Sequence, residues 1–295
     1  MKMSQGSAIG RSVDPTYPTN RAIILVTLVV VAGGAVFQWL AGAGLLQGGL
    51  WGVEAGLAAF LGWALCRELD PDHDLSAFVA AGLTVVGLFW GQPDLLVLFW
   101  VLMIVRVVNR SVGLPATLLD ALVVVGSSGW LMWQRSNWVY GVVAGLAFLL
   151  DGQLPKADRE QRAMTVPPVA FAAAAIIATG AWVVLRGRWW PEAEGSAASA
   201  LAVSAMSAIF VPVIVGASRV SAVDDRAGEP LEPTRVQAAQ GMAVLTGVQI
   251  GLWAGRVGIV SVAPLWAAAV GAALYRLAVG PLVARFLEDG RSGGA

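Results

Sequence analysis

Cys66-Arg67-Glu68-Leu69-Asp70-Pro71-Asp72-His73-Asp74 is the densest run of charge in the sequence, and it stands where one long apolar segment ends and the next begins. Four carboxylates, one arginine and the only histidine fall within positions 67–74 of a chain that is 13% charged. Water, a cation or a polar ligand has to reach that spot, because charge is costly in an apolar surrounding. The run therefore reads as a loop between two membrane helices.

The remaining composition agrees with that reading. Hydrophobic residues make up 57% of 295, mean hydropathy is +0.72 and Gly occurs 35 times, whereas soluble domains carry roughly a quarter charged residues. Lys+Arg and Asp+Glu stand at 19 each, and the basic residues are scattered rather than clustered, so no nucleic-acid partner is indicated. A lone cysteine, Cys66, forms no internal disulfide, and no Cys/His cluster marks a zinc, haem or iron–sulfur site.

A spanning helix needs about twenty apolar residues with every backbone hydrogen bond closed inside the segment. That rule places helices near 22–43, 49–66, 76–91, 94–108, 116–134, 137–151, 167–186, 197–217, 238–255 and 259–283. Segments 76–91, 94–108 and 137–151 are the shortest, and 76–91 with 94–108 also reads as a hairpin dipping into the membrane. The expected fold is an all-α polytopic transmembrane bundle of about ten spans, with a tail over 1–21, one membrane domain over 22–286 and a second tail over 287–295. With the N-terminus inside, 15 of the 19 basic residues fall on inner loops; only Arg135, Arg186, Arg188 and Arg256 fall outside. The excess of Lys and Arg on cytoplasmic loops then puts both termini in the cytoplasm. Trp51, Trp138, Trp189 and Trp190 fall at outer ends, at headgroup level. The expected location is the cytoplasmic membrane of a bacterium or archaeon.

Glycines recur four apart at Gly52–Gly56, Gly87–Gly91, Gly141–Gly145 and Gly251–Gly255, a spacing that lets helix backbones approach closely in lipid. Gly-Leu-Phe-Trp-Gly at 87–91 is echoed by Gly-Leu-Trp-Ala-Gly at 251–255, each after a Leu-Thr pair, which suggests an internal duplication.

Intramembrane polar residues are few: Gln38, Glu54, Asp120 and Gln249, with Arg106 and Arg276 near inner helix ends. The polar residues gather instead in three inner loops: 67–74, Asp151 to Arg162, and Asp224 to Glu232. Asp70, Asp72 and Asp74, spaced two apart, are candidate ligands for a hard cation such as Mg²⁺ shared with phosphate oxygens. Arg106, Asn109 and Arg110 are candidates for the anion side. The simpler reading is a wet loop in which Asp72 or Asp74 caps the next helix and His73 is solvated.

The loop order resembles that of the UbiA-type intramembrane prenyltransferases, in which acid-rich cytoplasmic loops after the second and sixth helices hold a prenyl diphosphate through Mg²⁺. Arg67-Glu68-Leu69-Asp70 resembles the tail of that family's first motif. Pro155-Lys156-Ala157-Asp158-Arg159-Glu160, followed by Thr165, resembles its second. The resemblance implies a diphosphate site of Asp70, Asp72, Asp74 and Asp158 with Arg106 and Arg110, Mg²⁺ as the cofactor and an isoprenoid ligand. The chain departs from it at Gly62-Trp63 and Cys66, where further metal ligands are expected, and in having ten helices rather than nine, so the resemblance points to a relative that has lost its metal site. Three classes stay open: a lipid- or isoprenoid-handling enzyme acting at the cytoplasmic face, a small-solute transporter lined by Gln38, Glu54 and Gln249, and a non-catalytic subunit that meets a membrane-protein partner or a second copy of itself in the bilayer.

Overall fold

The computed structural model describes residues 7, 9–11, 13–155, 166–187, 195–226 and 228–280. Among them the chain is all-helical apart from a single bridge between Val223 and Pro230. The helices are α1 Pro18–Leu40, α2 Leu45–Leu69, α3 Asp74–Gly87, α4 Leu95–Asn109, α5 Leu118–Arg135, α6 Val139–Gln153, α7 Pro168–Arg186, α8 Ala197–Gly216, α9 Pro233–Trp253, α10 Gly255–Ser261 and α11 Ala263–Leu274, the last continuing into a π-helical turn at Tyr275–Val279. A helix stands at each of the ten expected places, the tenth divided in two.

Eleven helices at ten places are not ten demonstrated spans. Four are long and apolar enough to cross a membrane, α1, α2, α7 and α8, or five if the bent α10–α11 pair counts as one. At about 1.5 Å per residue α3, α4 and α6 reach only about 21–23 Å, short of the roughly 30 Å hydrocarbon core. The helices α5 and α9 are long enough but carry Asp120, Gln134 and Arg135 in one and Arg235, Gln237, Gln240 and Gln249 in the other. The α10–α11 pair bends by 69°, because Pro264 has no N–H to continue the ladder across Val262.

The centre is α4, in which eleven of fifteen residues are buried. A helix apolar all round is one enclosed by protein, here by α2, α5, α6 and α9. Trp100 at its middle donates through Nε1 to the Ser128 hydroxyl of α5 at 2.8 Å. By contrast α1 buries only Ile23 and rests mainly on α2. There the backbones close up: a Cβ on Gly52 would lie 2.3 Å from the Val31 carbonyl oxygen. The Gly141–Gly145 pair lets α6 approach α7, where a Cβ on Gly141 would meet Thr179 at 2.0 Å. Gly62 is a packing glycine of the same kind: a Cβ there would fall 2.3 Å from the Thr84 hydroxyl of α3.

Candidate functional site

The ends of α2, α4 and α6, the π-helical turn after α11 and the start of α9 meet at one end of the bundle, and their charges meet with them. Glu68, in the last turn of α2, is closed to solvent; it accepts from Arg106 Nε at 2.8 Å and from Asn109 Nδ2 at 3.2 Å. Asn109 Nδ2 also donates to the Glu68 carbonyl at 3.1 Å. Arg106 Nη1 reaches the Ile9 carbonyl at 2.7 Å, and Arg11 lies 3.8 Å from Glu68 while donating to Asp225 at 2.6 Å. The segment before α1 is thus strapped across this end. Burial raises the Asp225 carboxyl above the ordinary carboxylate range, and Arg11 offsets part of that rise.

Asp70 terminates α2 and its carboxylate is fully buried. Its Oδ1 takes two bonds from Arg276, Nε at 3.0 Å and Nη2 at 2.5 Å, and a third contact from His73 Nδ1 at 2.9 Å. Arg276 arrives on the π-helical turn, and the neighbouring Tyr275 ring lies 5.5 Å from the His73 ring. Asp151, on the last turn of α6 rather than in a loop, accepts from Arg110 Nε at 2.6 Å and Arg235 Nη1 at 3.1 Å. Arg110 holds a left-handed backbone, φ 55°, an arrangement that costs a non-glycine residue about 1 kcal/mol or more and aims its side chain at Asp151. Arg235 also donates to the carbonyls of Val108, Asp151, Leu154 and Pro155, closing the exposed end of α6 as a cation at a helix C-terminus should.

The six candidates named from the sequence are therefore distributed as follows. Asp70 belongs to Arg276 and His73; Asp74 pairs with Arg67 at 2.6 Å; Arg106 belongs to Glu68 and Arg110 to Asp151. Asp72 accepts from the backbone of Ser221 and Ala222 at 2.9 and 2.8 Å and from the Ser221 hydroxyl at 3.1 Å. Asp158 lies outside the described residues, as do Lys156, Arg159, Glu160, Arg162, Thr165, Arg188, Trp189 and Trp190. Two expectations need correction. Neither Asp72 nor Asp74 caps α3, whose N-cap is His73 with no side-chain cap bond: Asp74 is already the first helical residue and pairs with Arg67, and Asp72 is bonded to the Ser221–Ala222 backbone. His73 is not a freely solvated loop residue; it is tied to Asp70 and half-covered.

Mg²⁺ does not fit this end as described. The Oδ1 of Asp70 is neutralised by a guanidinium while its Oδ2 is buried with no partner among the described residues, Asp72 is bonded to backbone N–H groups, and no group of three or more Asp, Glu, His or Cys able to hold a metal occurs among the described residues. Arg235, Arg276 and Gln240, whose Nε2 donates to the Leu69 carbonyl at 2.6 Å, complete the lock. The sequence marked Arg276 as a polar residue near an inner helix end and Arg235 only as a topogenic charge; neither was named as a partner for the acids.

A second polar place lies at the other end. A cleft of about 940 Å³ is walled by Trp90 and Gln92 before α4, Arg135 at the end of α5, Tyr140 of α6, Trp253 at the end of α9 and Arg256 of α10. Both stretches of the sequence echo end here. Asp94 is the N-cap of α4, takes Leu96 and Val97 N–H on Oδ1, pairs with Arg135 through Oδ2, and donates its own N–H to Ser261 at 2.9 Å. Both polar atoms of the Gln92 carboxamide are buried with no partner among the described residues. Glu54 and Arg256, also in the wall, are exposed and have no ion-pair partner among the described residues. Glu54 further borders a smaller groove, about 310 Å³, made by Leu46, Gln47, Leu50 and Trp51. Two aromatic pairs stand at this end: Trp138 on Trp253 at 5.8 Å and Phe37 on Trp51 at 6.1 Å.

No family model, curated protein or solved structure matches the chain.

Proposed function

We propose that this is a ten-pass membrane protein, both termini cytoplasmic, that holds a lipid- or isoprenoid-type amphiphile without the Mg²⁺-diphosphate chemistry of the UbiA-type enzymes it resembles. The observation that carries the reading is the pairing of Asp70 with Arg276 at 2.5 and 3.0 Å, which puts a guanidinium where a diphosphate site needs a metal. Support for an amphiphile comes from the opposite end. A polar cleft there shares Glu54 with an apolar groove, at the level where Trp51, Trp90, Trp138 and Trp253 suit a membrane interface.

Native mass spectrometry of the purified protein, released from mild detergent with and without a chelator, tests this. A retained lipid- or isoprenoid-mass adduct unaffected by the chelator is expected; a bare protein, or an adduct lost on chelation, overturns it. Passage of a small solute has one observation in its favour. Gln249, one turn before Trp253 in α9, keeps a buried Oε1 with no partner among the described residues, which suits a polar path leading inward from the cleft.

A further inference from the structure

Resting on the amphiphile reading above and naming its ligand, we infer that the cleft between α2, α4, α6 and α10 binds a zwitterionic phospholipid. Its headgroup lies between Glu54 and Arg256, and an acyl chain runs along the groove of Leu46 and Leu50.

The charge inventory selects the class. Asp94 and Arg135 pair with each other, which leaves one carboxylate, Glu54, and one guanidinium, Arg256, unmatched in the wall among the described residues. A ligand with one ammonium and one phosphate satisfies both. A net anion satisfies Arg256 but faces Glu54 uncompensated, and a simple cation does the reverse. A guanidinium suits phosphate oxygens, and an ammonium is drawn both to a carboxylate and to the faces of rings such as Trp90, Trp253 and Tyr140, which stand in the same wall.

Two further observations distinguish a lipid from a free zwitterion. The groove of Leu46, Leu50 and Trp51 adjoins the cleft at Glu54, and Leu46 and Leu50 are strongly exposed; a free solute has no use for that apolar surface. Gln92 supplies the third argument: its buried carboxamide offers a donor and an acceptor with no partner among the described residues. Those groups match a phosphate or ester oxygen and a hydroxyl or ammonium proton.

The experiment titrates the full-length protein in maltoside micelles with four probes. These are dihexanoyl phosphatidylcholine; glycerophosphocholine, which has the same headgroup and no chains; dihexanoyl phosphatidylglycerol, which has the same chains and a net negative charge; and dihexanoylglycerol, which is uncharged. Wild type, Glu54→Gln and Arg256→Gln are compared, and unchanged melting temperatures confirm that the exposed-site variants fold. Phosphatidylcholine is expected to bind about tenfold or more tighter than the other three, the scale of one charge-assisted contact. Glu54→Gln should erase its advantage over phosphatidylglycerol, and Arg256→Gln should weaken both while leaving dihexanoylglycerol unchanged. Glycerophosphocholine binding as tightly as the lipid, phosphatidylglycerol binding as tightly as phosphatidylcholine, or affinities unmoved by both substitutions would overturn the inference. If dihexanoylglycerol alone matches phosphatidylcholine, the zwitterion assignment falls and the amphiphile reading stands. If no lipid binds, both fall.

Discussion

Removing Arg276 should be among the most damaging single changes available outside the apolar core. Its guanidinium gives two hydrogen bonds to a carboxylate with no exposure at all. Arg276→Met keeps most of the stem volume and leaves Asp70 charged, buried and held, among the described residues, by His73 Nδ1 alone at 2.9 Å. Breaking one partner of a buried pair typically costs about 3–5 kcal/mol, and at roughly 2–4 °C per kcal/mol that is about 6–20 °C in melting temperature. The two-fold donation from Arg276 argues for the middle of that range, and the remaining imidazole argues against the top. Asp70→Asn/Arg276→Met should recover a large part of the loss, because the charge left stranded by the single change is gone. Circular dichroism melts in detergent of wild type, both single variants and the double variant give the coupling directly. Arg276→Met melting within about 2 °C of wild type, or a double variant as unstable as the sum of the singles, would refute the claim that Asp70 depends on this arginine.

Three further outcomes follow from particular contacts. Gly52→Ala should destabilise by forcing a Cβ to within 2.3 Å of the Val31 carbonyl, whereas Gly82→Ala, with nothing within 4 Å, should be neutral or stabilising by up to about 1 kcal/mol from helix propensity; paired thermal melts decide. Gln92→Leu should raise the melting temperature of lipid-stripped protein, since it removes a buried carboxamide lacking partners whose unsatisfied groups cost about 1–3 kcal/mol each; a lowered melting point would mean the amide is satisfied. Because Asp225 holds its proton more tightly folded than unfolded, its contribution to stability falls as pH rises from the ordinary carboxylate value through the raised one. Asp225→Asn should therefore match wild type below that window and exceed it above, in melts across pH where the other carboxylates cancel.

The helices were legible because each apolar run is bounded by charge, glycine or proline, and the ends shifted for readable reasons. Pro18 starts α1 four residues before the expected 22, since proline suits a first helical turn. Pro264 divides the expected 259–283 segment, a breaker that the apolar count overlooked. Counting apolar runs does not reveal which helices are enclosed. The 15-residue α4 reads as a thin span, yet it is buried at the centre, where spanning length is not what stabilises it. At the acid-rich end the sequence located the charges but not their partners. Asp70 meets an arginine 206 positions away, and no local pattern encodes that pairing. Glu68 and Asp151 looked like ordinary members of wet loops because each stands beside other acids or polar residues. The cleft was less legible still: Glu54, Arg135, Arg256 and the two echo stretches were each noticed for a different reason, and nothing local to any of them says that they share one wall.

The claim that the acid-rich end is a charge lock and not a metal–diphosphate site is tested most directly by calorimetric titration of a prenyl diphosphate into purified wild type and Asp70→Asn, each with and without Mg²⁺. If Arg276 and His73 neutralise Asp70 through its Oδ1 and leave no place for a metal, both proteins should give no Mg²⁺-dependent heat. Saturable Mg²⁺-dependent binding by wild type that vanishes in Asp70→Asn would contradict it.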